Sequence, residues 1–188
     1  EDTVVLPGDF SWAMNLKDTK KDFEYINNLP GKKIMSKGNH EYWWTTVTNI
    51  KNFLKENNFS NIDFLYNNSI EVEDKLICGT RGWNLNLESE TSNKIITREE
   101  IRLENSIQDA INKNLDKEII VFMHYPPIIK QNLNTGFFKI LKKYNIKRCY
   151  YAHLHGNSIK EALNGVYDGI EFKLVSADGL DFKLLKID

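Results

Sequence analysis

Residues that could bind metal ions follow four of the apolar runs in this sequence. The six residues of this kind are Asp9, Asn39, His40, His124, His153 and His155. Each stands just beyond the carboxyl end of a predicted strand. Ligands of open α/β sheets bind outside these ends, so we expect the six side chains to converge. Carboxylate, carboxamide and imidazole groups without a thiolate form a nitrogen and oxygen ligand set suited to Mn, Fe or Zn.

The spacing of these residues has physical reasons. Gly8 and Gly38, which precede Asp9 and Asn39, allow the backbone to turn sharply and to approach an ion closely. His153 and His155 are two residues apart, so in extended backbone their side chains would point to the same face. The two oxygens of Asp9 could bridge two cations.

The elements that must position these residues alternate between strands and helices. The predicted strands are Thr3–Leu6, 33–36, 63–66, 70–72, 75–78, Glu118–Met123 and 147–152. The predicted helices are 17–28, 42–57, 95–114 and 136–144. A C-terminal hairpin is expected to pair 171–176 with 181–187. This order predicts a single α/β domain over 1–188, with parallel βαβ units followed by antiparallel strands.

Composition excludes several classes of protein. The 188 residues are 41% hydrophobic and 12% aromatic, which is too rich for a disordered chain. With 25 basic and 26 acidic residues the net charge is −1, which argues against a nucleic-acid partner. No apolar run approaches the ~18 residues that a membrane span needs, so no membrane association is expected. Oligomeric state cannot be read from these features.

The two cysteines indicate a cellular compartment. Cys78 and Cys149 lie in apolar, strand-like runs, where free cysteine behaves as a small buried hydrophobic residue. Two such residues do not form a disulfide framework. We therefore expect a reducing, cytoplasmic location, although a signal peptide could precede the sequence.

The order of the candidate ligands resembles the calcineurin-like metallophosphoesterase family. That family carries the blocks D-x-H, G-D, G-N-H-[E/D], a lone H and G-H-x-H. The corresponding segments here are Gly8-Asp9, Gly38-Asn39-His40-Glu41, His124 and Ala152-His153-Leu154-His155. Ala152 replaces the glycine of the last block, and D-x-H is absent. We expect that the chain is N-terminally truncated and lacks the first strand and its D-x-H block.

The resemblance implies both a fold and two metal sites. The implied fold is two mixed β-sheets packed as a sandwich flanked by helices, in four α/β/β/α layers. One divalent ion would be held by Asp9, Asn39, His124 and His153. The other would take Asp9, His155 and the D-x-H block, so one site would be incomplete and turnover could be impaired.

The resemblance also implies an activity. It is hydrolysis of a small phosphomonoester or phosphodiester by a metal-bound hydroxide, with His40 as general acid or as a hydrogen-bond donor to the phosphate. One alternative is a nuclease or nucleotide pyrophosphatase of the same superfamily, which the neutral charge disfavours. Another is a non-catalytic, metal-binding scaffold, which the presence of His40 disfavours.

Several nearby residues have competing interpretations. Arg81 could bind a substrate phosphate, but the sequence favours stacking on Trp83 or pairing with an acid. Glu41 would either favour a helix N-terminus or hydrogen-bond a ligand. Aromatic residues near Asp9 and Glu41, including Trp12 and Tyr42, are more typical of packing than of base stacking. The outward residues of the helix 95–114 are expected to form a solvated face, and they are Arg98, Glu99, Arg102 and Glu104.

Overall fold

Three parallel strands form the smaller of two sheets in the computed structural model, which describes residues 2–87, 89–130 and 132–188. The strands are β1 (Thr3–Leu6), β2 (Lys32–Met35) and β3 (Ile62–Phe64), paired in that order. Helix α1 (Lys20–Asn28) connects β1 to β2, and α2 (Val47–Glu56) connects β2 to β3. This is the parallel βαβ arrangement that the sequence predicts.

Six strands form the larger, mixed sheet. They are β4 (Ser69–Val72), β5 (Lys75–Thr80), β6 (Glu118–Met123), β7 (Arg148–Tyr151), β8 (Gly165–Tyr167) and β9 (Ile170–Leu174). Their order is β4-β5-β6-β7-β9-β8, with antiparallel pairing only where β4 and β8 meet their neighbours. Helix α3 (Glu90–Lys113) connects β5 to β6, and α4 (Gly136–Lys143) connects β6 to β7.

Alternating side chains divide the core into layers. Ile120 and Phe122 of β6 belong to a cluster that also contains Ile34 of the smaller sheet, so the two sheets pack against each other here. Val121 and Met123, on the opposite face of β6, pack in a cluster with residues of α3 and α4. Successive strand residues point to opposite faces, so one apolar strand supplies both layers. The two-sheet α/β fold that the resemblance implies is thus confirmed.

The predicted C-terminal hairpin is wrong. Strand β9 lies between β7 and β8, so both of its edges are already paired. The hairpin is instead β8–β9, closed by Asp168 and Gly169, whose φ angles of 47° and 81° suit the two-residue Asp-Gly turn. Within 181–187, Leu185 and Ile187 pack against the cluster between the sheets without forming a strand.

Two helices begin five residues away from their predicted starts. Helix α2 begins at Val47 because the hydroxyl of Thr46 caps it, accepting a hydrogen bond from the Asn49 N–H. The preceding loop buries Trp43, whose indole N–H donates to the carbonyl of Ser11. Helix α3 begins at Glu90, earlier than predicted. None of the described helices is long and apolar enough to cross a membrane.

The predicted solvated face of α3 is wrong at Glu99, although Arg98 is exposed. Glu99 is only 1% exposed, and its Oε2 accepts a hydrogen bond of 2.7 Å from the hydroxyl of Thr80 at the end of β5. A buried carboxylate must be paired, and Arg102 donates to its Oε1 at 2.8 Å.

The two cysteines are buried and free, and burial raises the pKa of both thiols.

Candidate metal centre

Three ligand atoms surround the Nε2 atom of His124, which is itself the fourth. This atom lies 2.8 Å from Asn39 Oδ1, 3.2 Å from His153 Nδ1 and 3.4 Å from Asp9 Oδ2. Asp9, His124 and His153 form a group whose ligand atoms all lie within 4.8 Å of one another. The carboxyl ends of β1, β2, β6 and β7 therefore place these four side chains together.

The hydrogen bond on the other side of His124 explains why this cluster fits a cation. Its Nδ1 lies 2.9 Å from the carbonyl of Pro7, which can only accept, so Nδ1 carries the proton. The Nε2 lone pair then faces the Asn39 oxygen and the Asp9 carboxylate, neither of which has a proton to donate in this orientation. Lone pairs that face one another are satisfied by a divalent cation, and a backbone partner of this kind is typical of metal-binding histidines.

Burial keeps His124 in the form that binds metals. Burial lowers the pKa of His124 to about 4, although the Asp9 carboxylate opposes this shift. Burial also lowers the pKa of His153. Because a neutral imidazole is the metal-binding form, both rings are prepared for coordination at neutral pH.

Two glycines allow the Asp9 loop and the Asn39 loop to approach each other. A Cβ atom on Gly38 would lie 2.3 Å from Asp9 Oδ1, and one on Gly8 would lie 2.6 Å from Gly38 Cα. The backbone N–H of His40 donates to Asp9 Oδ1 at 2.9 Å, which leaves Oδ2 facing the metal centre. The two glycines therefore allow the loops to lie this close together, and their close approach to an ion stays a prediction.

The side chain of Glu41 connects the same two loops through hydrogen bonds. It is 2% exposed, and its two oxygens accept the N–H groups of Phe10 and Gly38, each at 2.6 Å. Burial raises the pKa of Glu41, and these backbone hydrogen bonds oppose the shift. The proposed helix N-terminal role is wrong because α2 begins only at Val47. Glu41 instead positions the backbone beside Asp9 and Asn39.

Replacing Glu41 by Gln should therefore weaken metal binding. Its amide nitrogen cannot accept one of the two backbone N–H groups, so one loop loses its anchor. Supporting residues of this kind are worth about 10–100-fold in metal affinity. Titration with Mn²⁺ measures the effect, and Glu24→Gln on the exposed side of α1 is the matched control. Equal affinity in Glu41→Gln and the parent protein would contradict this role.

The two histidines after β7 do not have the expected backbone. His153 has φ 65°, in the left-handed region, so the extended-strand explanation for His153 and His155 is wrong. His155 is exposed and precedes the short 3₁₀ helix Gly156–Glu161. It lies outside the group of ligand atoms formed by Asp9, His124 and His153. It is nevertheless one of the groups that lower the pKa of His153, after burial.

Aromatic side chains hold the ring of His40. The ring stacks on Trp12, with centroids 3.7 Å apart and planes inclined by 10°. Its Nδ1 lies 3.0 Å from the hydroxyl of Tyr42. Trp12 and Tyr42 are mostly exposed, unlike the buried Trp43, so part of the predicted aromatic packing forms an open rim around His40.

Arg81 makes both of the contacts that the sequence favours, stacking on Trp83 and pairing with an acidic residue. Its guanidinium carbon lies 4.7 Å from the centroid of the Trp83 ring, and its Nη2 lies 3.7 Å from Glu99 Oε1. Burial lowers the pKa of Arg81, and Glu99 opposes the shift. A role of Arg81 in substrate binding stays a prediction.

The fold and this cluster together define a metal-binding α/β protein with two packed sheets. A family model described as calcineurin-like phosphoesterase matches residues 1–157, which include every candidate ligand and His40. The chain belongs to this family. A search of curated proteins found no match. Membership supports a metal-dependent phosphoesterase activity and the use of divalent ions.

Proposed function

We propose that this protein hydrolyses a phosphate ester of a small molecule, either a monoester or a diester. The carrying observation is the convergence of Asp9 Oδ2, Asn39 Oδ1 and His153 Nδ1 on His124 Nε2. These four residues would hold one divalent ion. Asp9 and His155 would contribute to a second ion, as the family resemblance implies. The ligand types favour Mn, Fe or Zn.

Hydrogen bonds within the chain fix the orientation of the side chains that would bind the ions. Bound divalent ions would lower the pKa of a water nucleophile and offset charge on the phosphoryl oxygens. Asp9 has one oxygen fixed by the His40 N–H, so its other oxygen keeps a constant direction. The Pro7 carbonyl does the same for the ring of His124. Such fixed geometry lowers the reorganisation needed in the transition state.

His40 is the proposed proton donor to the leaving group. In the imidazolium form both ring nitrogens of His40 carry a proton, and Nδ1 donates to Tyr42 Oη while Nε2 points away from Tyr42. Stacking on Trp12 restricts the rotation of the ring. The Nε2 proton can pass to a departing alkoxide, which is a poor leaving group without a proton, and His40 is left as a neutral imidazole.

Hydrolysis by the chelator-treated, full-length protein tests this function. The substrates are p-nitrophenyl phosphate and bis(p-nitrophenyl) phosphate, each tested without metal and with Mn²⁺, Zn²⁺ or Fe²⁺. We expect hydrolysis of at least one ester only after metal is restored. Metal binding without hydrolysis of either ester would contradict the proposal and favour a non-catalytic scaffold. Hydrolysis that does not respond to the chelator would also contradict it.

A further inference from the structure

A cavity, here called the basic pocket, is lined in part by segments that also carry metal ligands. It has a volume of about 200 Å³ and is lined by Lys37, Trp44, Thr45, Tyr66, Arg81, Arg98 and Arg102. Four of these seven residues are cations. They come from the loop after β2, the end of β5 and the face of α3.

The basic pocket has an excess of positive charge. Glu99 is the carboxylate that pairs with its arginines, and its Oε1 lies 2.8 Å from Arg102 Nη1, 3.6 Å from Arg98 Nε and 3.7 Å from Arg81 Nη2. One carboxylate is thus shared by three guanidinium groups. Lys37 has no ion pair among the described residues. Burial lowers the pKa of Lys37, and the carboxylates of Glu41 and Glu99 oppose this shift. The four cations and Glu99 leave a local charge of about +3, which attracts anions.

The hydrogen-bonding capacity of the basic pocket is also incomplete. The side chain of Arg81 is 14% exposed, and its buried Nε finds no hydrogen-bond partner in the described part of the chain. An unpaired buried donor is costly, so native proteins usually provide it with a partner. By contrast, the orientation of the Arg102 guanidinium is restricted, because its Nη2 donates to Tyr66 Oη at 3.0 Å.

Two walls of the basic pocket belong to segments that carry metal ligands. Lys37 precedes Asn39 by two residues, so their Cα atoms are separated by less than about 8 Å. The carbonyl of Arg81 accepts a hydrogen bond of 2.8 Å from the N–H of Tyr125, the residue after His124. A short molecule could therefore reach from the metal centre into the basic pocket.

We propose that the basic pocket binds a second phosphate group of the substrate whose other phosphate ester is cleaved at the metal centre. Arginine forks match phosphate oxygens, and at about 30 Å³ per water the volume suits one phosphate group with a few waters. This inference rests on the proposed function for the identity of the reaction. The binding of an anion in the basic pocket does not depend on the proposed function, and it can be measured without metal or turnover.

Binding of inorganic phosphate to the chelator-treated, full-length protein is the first test. Calorimetric titration should show binding by the parent protein. The variant R98Q/R102Q should bind about tenfold more weakly or worse, since two charged donors are lost. Lys94→Gln, an exposed residue of the same helix, is the matched control. Where the double variant fails to fold, Arg98→Gln serves instead because Arg98 is 53% exposed.

Phosphate binding by R98Q/R102Q decides whether the basic pocket is a phosphate site. Binding that is lost in R98Q/R102Q and kept in Lys94→Gln supports the basic pocket as a phosphate site. No binding by the parent protein, or equal binding by the double variant, overturns it. A failure of hydrolysis in the assay of the proposed function leaves this result untouched, so the two failures are distinguishable.

The second test separates a substrate phosphate from free phosphate. It compares kcat/KM for a short series of linear alkanediol bisphosphates with that for the matching alkyl monophosphates. The parent protein and Lys94→Gln should prefer a bisphosphate by about tenfold or more, and R98Q/R102Q should lose that preference. Equal kcat/KM for both substrate classes in the parent protein would show that the basic pocket serves free phosphate only, which overturns the substrate assignment.

Discussion

Replacing Asp9 by Asn should lower kcat/KM for phosphate ester hydrolysis by about 10³-fold or more. The amide can still accept the His40 N–H, so the local backbone is retained, but the negative charge beside His124 and His153 is lost. Metal ions supply several kcal/mol of transition-state stabilisation, and each 1.36 kcal/mol is a factor of ten. Steady-state kinetics of the metal-restored, full-length protein measures the loss.

The matched control is Asp63→Asn. Asp63 is an exposed carboxylate of β3, and the same chemical change there should leave kcat/KM within about twofold. Circular dichroism and thermal unfolding should show that both variants fold. Full hydrolase activity in Asp9→Asn would contradict the assignment of this centre.

Replacing His40 by Asn should lower kcat by about 10²–10⁴-fold for esters with an alkoxide leaving group. The alkoxide needs a proton, and His40 is the proposed donor. For p-nitrophenyl esters the loss should be much smaller, because p-nitrophenolate is stable without a proton. Comparing kcat for alkyl and p-nitrophenyl phosphates therefore separates proton donation from simple substrate orientation.

The control for His40 is Tyr42→Phe, which removes one hydroxyl from the ring's environment. It should lower kcat by about two- to tenfold, consistent with one hydrogen bond. If His40→Asn lowers kcat equally for both leaving groups, His40 orients the phosphate and does not donate the proton. An unchanged kcat for alkyl esters would contradict any catalytic role.

Much of the fold can be predicted because its central strands are nearly continuous apolar runs. Strands β1 and β6 have the predicted bounds, and the last four residues of β6 are apolar and buried on both faces, with no polar interruption. Parallel pairing of β1 and β2 brings Asp9 and Asn39 together, and His124 meets them because β6 of the other sheet packs against the smaller sheet.

Other features depend on tertiary contacts that local sequence does not encode. Glu99 has the charge pattern of a solvated helix face, and only its packing against Thr80 and the arginines buries it. The φ of 65° at His153 is uncommon for a residue with a side chain and arises where the chain leaves β7. The β8–β9 hairpin is not among the predicted elements, although Asp168-Gly169 is a recognisable turn signal.

Metal content per chain is the measurement that tests the metal centre most directly. The full-length protein is incubated with excess Mn²⁺, Fe²⁺ or Zn²⁺, freed of unbound ions and subjected to elemental analysis, alongside His124→Ala. We predict at least about one equivalent in the parent protein and a marked loss in the variant, because Nε2 of His124 lies at the centre of the ligand atoms. No bound metal in the parent protein, or an unchanged content in His124→Ala, would contradict the metal centre and with it the proposed hydrolysis.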